Sequence, residues 1–86
     1  MQIQLKLLNI YMLTTGARLK KLRELRGYNQ AYMALKIGIS QAQYSYLENR
    51  QKIIPKKDLE RIAEILEVSV EFIERFNPNK ILDQNE

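Results

Sequence analysis

Two short apolar patterns separated by one glycine limit the possible folds of this chain more than any other feature. They lie in "QAYMALKIGISQAQYSYLEN", residues 30–49, and each has the spacing of one helix face. Gly38 tolerates positive φ at the bend, and Ala34 is small enough for two helix backbones to approach. We therefore expect a helix-turn-helix, in which the second helix projects from the body. The residues expected to bury its inner corner are Met33, Ile37, Ile39, Tyr44 and Leu47.

Composition restricts the functions open to the chain. Its 86 residues suffice for one domain but not for two. Cysteine and histidine are absent, which removes disulfides, thiolate metal sites and the commonest general base. We expect no enzyme, no catalytic residue, no metal and no cofactor. The apolar run "LLNIYML" is far shorter than the roughly 20 residues that span a bilayer and lacks a signal-peptide cleavage pattern, so we expect a cytoplasmic protein without a membrane partner.

Charge is unevenly distributed along the chain. Residues 14–50 contain seven basic and two acidic side chains, a net charge of +5. Residues 51–86 contain six basic and eight acidic side chains, a net charge of −2. This asymmetry favours a protein whose first half faces a polyanion, although a basic balance alone is weak support for nucleic-acid binding.

Helical periodicity predicts an all-α, compact five-helix bundle over residues 14–76. The expected helices span about residues 15–26, 30–37, 41–49, 56–67 and 70–75, with Asn29, Ser40 and Ser69 as N-caps. Gly27 supplies a left-handed cap after the first helix, and Pro55 precedes the fourth. The stripe of the first helix comprises Leu19, Leu22, Arg23 and Arg26, and that of the fourth comprises Leu59, Ile62, Ala63 and Leu66.

The two ends of the chain fall outside this helical pattern. Residues 1–13 form an extension in which "QIQLKL" alternates as a β-strand does, and a lone strand cannot satisfy its backbone hydrogen bonds. It would pair with "KILD" or with a second copy of the chain, or it has no regular structure. Another reading is that the protein begins at Met12. Residues 77–86 are expected to form a flexible tail.

The third predicted helix has an uncharged polar side, which we call the outer face. At about 100° per residue, Tyr44, Leu47 and Glu48 point inward. The outer face then consists of Gln41, Ala42, Ser45, Tyr46 and Asn49. Glutamine can pair with adenine in bidentate fashion, and a small apolar side chain can rest on a thymine methyl. The outer face is therefore either a reader of DNA bases or an ordinary solvated helix face, and solvated faces more often contain Lys and Glu.

Two charged residues fall on buried stripes. Arg23 lies on the inner face of the first helix and Glu48 on that of the third. Either charge alone would be costly to bury, whereas together they can form a hydrogen-bonded ion pair that ties the two helices. We predict this pair, the alternative being two unrelated surface charges.

The segments "RLKKLRELRGYNQAYMALKIGISQAQYSYLEN" and "IPKKDLERIAEILEVSVEFI" resemble the Cro-like and phage-repressor-like (Xre) helix-turn-helix family. The resemblance covers about residues 16–75. It rests on Arg23, Gly27, Gln30, Ala34, "GIS", "YLEN" and Pro55. It implies a bundle of the lambda-repressor-like type that binds operator-like DNA as a dimer.

The resemblance also implies roles for individual residues. Those expected to contact bases are Gln30, Gln41, Ala42, Gln43, Ser45 and Tyr46, and Gln30 is expected to contact the DNA backbone as well. Ser40, Gln43 and Asn49 match positions that touch phosphates or neighbouring bases in such proteins. Apart from the resemblance, we expect the basic residues Lys36, Arg50 and Lys52 to neutralise phosphates. The dimer contact is expected at Val70, Phe72, Ile73 and Phe76.

The sequence departs from the family pattern in three places. Arg50 stands where glycine is usual, so Asn49 or Arg50 must make the turn and Arg50 can add a phosphate contact. Tyr32 and Leu35 stand where polar residues are usual; they form either a patch for a partner or two singly exposed apolar residues. The extension 1–13 has no counterpart in the family.

We therefore predict a sequence-specific transcriptional repressor that binds a near-palindromic operator as a homodimer. One alternative is the antitoxin of a toxin–antitoxin pair, with residues 1–13 or the Tyr32 and Leu35 patch facing the toxin. Another is an interaction module that does not bind DNA. The expected partners are double-stranded DNA, a second copy of the chain and, under the alternatives, a toxin or an anti-repressor.

Overall fold

The structure, a computed structural model, describes residues 14–51 and 53–77, and these residues form five α-helices. The helices are α1 (Thr15–Leu25), α2 (Gln30–Ile37), α3 (Gln41–Asn49), α4 (Lys56–Leu66) and α5 (Val70–Arg75). The described residues contain no strand. The predicted all-α, five-helix architecture is therefore confirmed.

Residues with a left-handed backbone conformation follow three of the helices. Gly38 has φ 89° after α2, and Gly27 has φ 77° after α1. Glu67 ends α4 with φ 59°, the only non-glycine residue with positive φ in the described residues. Arg50 ends α3 with φ −131°, so this turn is made without the glycine that the family uses. Helix α1 ends before Arg26, whose side chain is exposed rather than part of the buried stripe.

Four of the five helices begin with a side-chain cap. The side chains of Thr14, Asn29, Ser40 and Ser69 each accept a hydrogen bond from the backbone N–H three residues later. Helix α4 begins after Pro55, which makes no side-chain cap. Local sequence therefore fixes the start of α3, the helix that carries the outer face.

Side chains from all five helices form one core. Tyr44, Met33 and Leu19 are fully buried, as are Ile62, Leu66 and Ile73. Ile39, in the turn between α2 and α3, is partly buried against this core. The inner corner expected from the sequence is thus packed, and it holds α3 against the body of the domain.

Two of the residues that we expected at the dimer contact on α5 are buried in the core. Ile73 and Phe76 belong to the core of the protomer itself, so neither side chain is free to form a dimer contact. Val70 is half-buried against the same core, whereas Phe72 is 46% exposed. The cause is that α1 packs on α5, which covers the apolar side of this short helix.

Several expectations concern residues outside the described ranges. The strand-like extension 1–13, the phosphate contact at Lys52 and most of the tail, residues 78–86, lie there. Within the described ranges, no helix is long and apolar enough to cross a bilayer.

Candidate nucleic-acid interface

An ion pair between α1 and α3 fixes the orientation of the outer face. Arg23 Nε donates to Glu48 Oε2 at 2.7 Å and Arg23 Nη2 donates to Glu48 Oε1 at 3.1 Å. Both residues are buried, with 7% and 2% of their surfaces exposed. The hydrogen bond to Glu48 raises the pKa of the Arg23 guanidinium, so the cation is maintained. This is the pair that the sequence led us to expect, and a bidentate geometry of this kind also restricts rotation of α3.

Two further groups complete the surroundings of the pair. Gln30 Nε2 donates to Glu48 Oε1 at 3.2 Å, which links the first residue of α2 to α3. Arg23 Nη1 donates to the backbone oxygen of Tyr28 at 2.9 Å. Because a carboxylate only accepts, the Gln30 amide must turn a nitrogen toward Glu48. The Gln30 amide oxygen and a second N–H remain for an external partner.

Tyr44 packs beside the ion pair. Its hydroxyl is buried and makes no hydrogen bond in the described part of the chain. Burial raises the pKa of the Tyr44 phenol, and the nearby Glu48 carboxylate raises it further. The phenol therefore stays neutral, and its ring packs in the core.

Gly16 allows α1 to approach α3 closely. A Cβ atom at this position would overlap the backbone oxygen of Glu48 and would lie 2.8 Å from its carbonyl carbon. The sequence pattern assigns Gly16 no role. The available signal was a glycine within the first turn of a predicted helix, where glycine is unfavourable and needs a packing reason.

The outer face is exposed, as its uncharged polar composition predicts. Gln41, Ala42, Tyr46 and Asn49 are exposed and Ser45 is half-buried. Two open depressions of about 470 and 510 Å³ lie on this side of the molecule, and Ala42 and Tyr46 line both of them. Tyr46, which is 54% exposed, is thus accessible from both depressions.

Each depression is completed by a different set of neighbours. The first is completed by Ile39, Gln43, Leu47, Gln51 and Asp58. The second is completed by Ser45, Asn49 and Arg50. The structure thus brings Arg50 to the outer face. The sequence pattern did not indicate Gln51, which follows α3 by two residues, or Asp58, which is brought next to α3 only by the fold.

Internal hydrogen bonds restrict two of the exposed amides. Gln43 Oε1 accepts from the backbone N–H of Ser40 at 2.8 Å, while Gln43 N–H donates to Ser40 Oγ at 3.1 Å. This reciprocal arrangement is a capping box. Asn49 Nδ2 donates to the backbone oxygen of Ser45 at 3.0 Å and to Ser45 Oγ at 3.2 Å. The amide nitrogen of Asn49 is therefore engaged within α3, and its amide oxygen makes no bond in the described residues.

Lys36 lies apart from the outer face. It lines a separate depression together with Tyr28, Tyr32, Ile65 and two carboxylates, Glu64 and Glu67. Its ammonium group is 5.6 Å from the centre of the Tyr32 ring. A phosphate would meet two acidic side chains here, so the expected phosphate contact at Lys36 is not favoured by its surroundings.

The two apolar residues on the surface of α2 differ in their contacts and exposure. Tyr32 packs against Tyr28 with ring centres 4.5 Å apart and ring planes tilted by 38°, so its ring already has an intramolecular contact. Leu35 is 78% exposed. Only Leu35 is thus a freely exposed apolar residue in this patch.

A family model described as helix-turn-helix matches residues 19–73, which include both α2 and α3 and the ion pair that holds them. The chain belongs to this helix-turn-helix family, whose members are of the Xre and Cro-like kind. It has the fold of DNA-binding transcription regulators, and the family is not a class of enzymes.

Solved structures of helix-turn-helix proteins are similar to the chain. One is the crystal structure of SinR, the master regulator for biofilm formation, in complex with DNA; it is 31% identical, covers 70% of this chain and 97% of its own, and has a TM-score of 0.64. Another is the N-terminal DNA-binding domain of SinR from Bacillus subtilis, which is 31% identical, covers 73% of this chain and 90% of its own, and has a TM-score of 0.62.

A third structure supports the fold alone. It is a hypothetical transcription factor, NHTF, from Neisseria, which is 20% identical, covers 81% of this chain and 79% of its own, and has a TM-score of 0.65. No curated protein sequence matches the chain at a significant level.

Proposed function

We propose that this protein is a sequence-specific transcriptional repressor that binds a near-palindromic operator as a homodimer. The observation that carries the proposal is the exposed outer face of α3, which is uncharged and is held in place by the buried Arg23–Glu48 pair. SinR, to which the chain is 31% identical, has been crystallised in complex with DNA.

The chemistry of the outer face suits the edges of base pairs. Gln41 lies at the first position of α3, and its side chain makes no hydrogen bond within the described residues, so the amide oxygen and N–H groups are available for adenine. Ala42 and Tyr46 line both depressions, and the small apolar side chain of Ala42 can meet a thymine methyl there. Recognition helices contact base edges through their N-terminal residues, which is where Gln41 and Ala42 lie.

Dimerisation would place two copies of α3 in successive major grooves, about 34 Å apart. Ile73 and Phe76 are committed to the core, so the dimer contact on α5 would use Phe72, the exposed member of the expected set. A two-fold axis at this contact requires an operator whose two half-sites are inverted repeats.

Selection of bound sequences from a random DNA pool tests the proposal. We expect an enriched motif with two inverted half-sites about one helical turn apart. Sedimentation of the complex should show two chains per duplex. A motif without inverted symmetry, or one chain per duplex, would contradict the homodimer. Absence of any enriched motif would contradict sequence-specific binding.

A second measurement addresses the electrostatic part of binding. Basic side chains that neutralise phosphates release counterions, so the logarithm of the binding constant should fall linearly with the logarithm of salt concentration. A flat response would show that the protein makes no phosphate contacts.

A further inference from the structure

We infer that Asp58, in the first turn of α4, selects a cytosine in the operator by accepting a hydrogen bond from the cytosine amino group. The inference rests on the proposed DNA-binding function and assigns base selectivity to a residue outside α2 and α3. It starts from the depression of about 470 Å³ that Asp58 lines together with Ala42 and Tyr46 of the outer face.

The Asp58 carboxylate is available to an external partner. It is half-buried and makes no hydrogen bond or ion pair with the described residues. A carboxylate oxygen accepts hydrogen bonds and donates none. Its negative charge also repels phosphate. A DNA group that bonds to Asp58 must therefore be a hydrogen-bond donor, which excludes the phosphates and leaves the base edges.

Two glutamines that line the same depression differ in what they add to it. Gln51 Nε2 donates to the backbone oxygen of Ile53 at 2.9 Å, and the Gln51 amide oxygen has no partner among the described residues. Gln43 is bonded through its own amide oxygen to Ser40 N, so it adds N–H donors instead. Asp58 is thus the charged acceptor of this depression, and Gln51 supplies a second acceptor beside it.

The edges of the four bases differ in how well they suit such a depression. In the major groove thymine and guanine present only oxygen or nitrogen acceptors, which a carboxylate repels, whereas cytosine and adenine present an amino group. Adenine also presents N7, an acceptor next to its amino group. Cytosine has a C–H group there, which suits the apolar side chains of Ile39 and Ala42 in the same depression. Cytosine is therefore the base that fits best.

The substitution Asp58→Asn tests this selectivity, because the amide has nearly the same shape but offers both a donor and an acceptor. We expect the wild type to enrich a cytosine at one position of each half-site in selection from a random DNA pool. Replacing that C·G pair with T·A should weaken wild-type binding about tenfold. Asp58→Asn should bind the two duplexes alike, and circular dichroism should show that it is folded.

Glu60→Gln is the matched control. It removes the same charge from the same helix, but Glu60 is exposed and does not line the depression. This variant should keep the wild-type preference for cytosine. The comparison separates the contact at Asp58 from the general effect of one less negative charge on DNA binding.

A modified base distinguishes the amino group from the methyl group that thymine also carries. An operator with 5-methylcytosine at the selected position keeps the amino group and gains the methyl group of thymine. Wild-type protein should bind this operator like the unmodified one. Binding as weak as that of the T·A duplex would overturn the inference, because the methyl group would then account for the discrimination.

The selectivity of Asp58→Asn decides between a base contact and a purely structural role. If Asp58 only stabilises the start of α4, the variant has a lower thermal midpoint but retains the wild-type base preference at every position, and the inference is overturned. The proposed function would survive that result, since the wild type would still enrich a motif. Wild-type protein that enriches no motif would overturn the proposed function as well, so the two failures are distinguishable.

Discussion

Gly16 and Glu48 are in backbone contact, so that α1 and α3 approach each other without an intervening side chain. The same glutamate carries the carboxylate that pairs with Arg23. Helix α3 is therefore fixed at Glu48 by both its main chain and its side chain. The outer face lies on the opposite side of α3, so the same two contacts hold it in position.

Replacing Gly16 with alanine should destabilise the domain. The new methyl group would overlap the Glu48 carbonyl, and overpacking of this kind costs roughly 1–3 kcal/mol. Urea unfolding followed by circular dichroism measures the loss. Lys21→Ala, on the exposed side of the same helix, is the control and should change the free energy of unfolding by less than about 0.5 kcal/mol. A Gly16→Ala variant as stable as the control would show that the helices can move apart freely.

Breaking the Arg23–Glu48 pair should be far more harmful than removing it entirely. Arg23→Met leaves the Glu48 carboxylate buried without its cation, which should cost about 3–5 kcal/mol of unfolding free energy. The double variant Arg23→Met, Glu48→Leu removes both charges and should recover most of that stability. Urea unfolding of both single variants and the double variant gives the coupling energy. Additive losses would contradict the interaction.

The hydroxyl of Tyr44 should be dispensable for stability. It is buried without a hydrogen-bond partner among the described residues, so Tyr44→Phe should keep the free energy of unfolding within about 1 kcal/mol or raise it. Tyr44→Ala, which removes the packing as well, should cost about 3–5 kcal/mol. A large loss in the phenylalanine variant would show that the hydroxyl makes a bond that stabilises the fold.

The same residue predicts a pH dependence. Burial raises the pKa of the Tyr44 phenol in the folded state, so the folded chain retains a proton that the unfolded chain releases above about pH 10. Stability should fall as pH rises above that value. Tyr44→Phe should lose less stability than the wild type over this range.

Arg50 and Lys36 should differ in their effect on DNA binding, although each substitution removes one positive charge. Arg50 lines a depression of the outer face, whereas Lys36 lies in a separate depression with two carboxylates. Arg50→Ala should lower the affinity for all duplexes and reduce the salt slope by about 0.9. Lys36→Ala should leave the slope almost unchanged. Equal slopes for the two variants would show that Arg50 does not contact a phosphate.

Most of the fold could be predicted from local sequence patterns. The bounds of α2, α3 and α5 follow from caps and periodicity, because each of these helices is preceded by Asn or Ser and has a regular apolar stripe. The Arg23–Glu48 pair could also be predicted from the sequence, because a charge on an apolar stripe requires a partner.

Other features depend on contacts in the folded chain, which no local sequence pattern indicates. Periodicity marks Ile73 and Phe76 as apolar, but it cannot tell a residue that faces the core from one that faces a second copy. The composition of the outer face likewise does not indicate which amides are already bonded. Only the observed partners of Gln43 and Asn49 show which donors and acceptors remain for DNA.

Base reading by the outer face of α3 is tested most directly by repeating selection from a random DNA pool with a Gln41→Ala, Tyr46→Ala variant. Its control is Tyr32→Ala, Leu35→Ala, which alters the same number of surface residues on α2. We expect the wild type and the control to enrich the same motif, whereas the α3 variant remains folded and enriches none. Enrichment of the wild-type motif by the α3 variant would contradict the account.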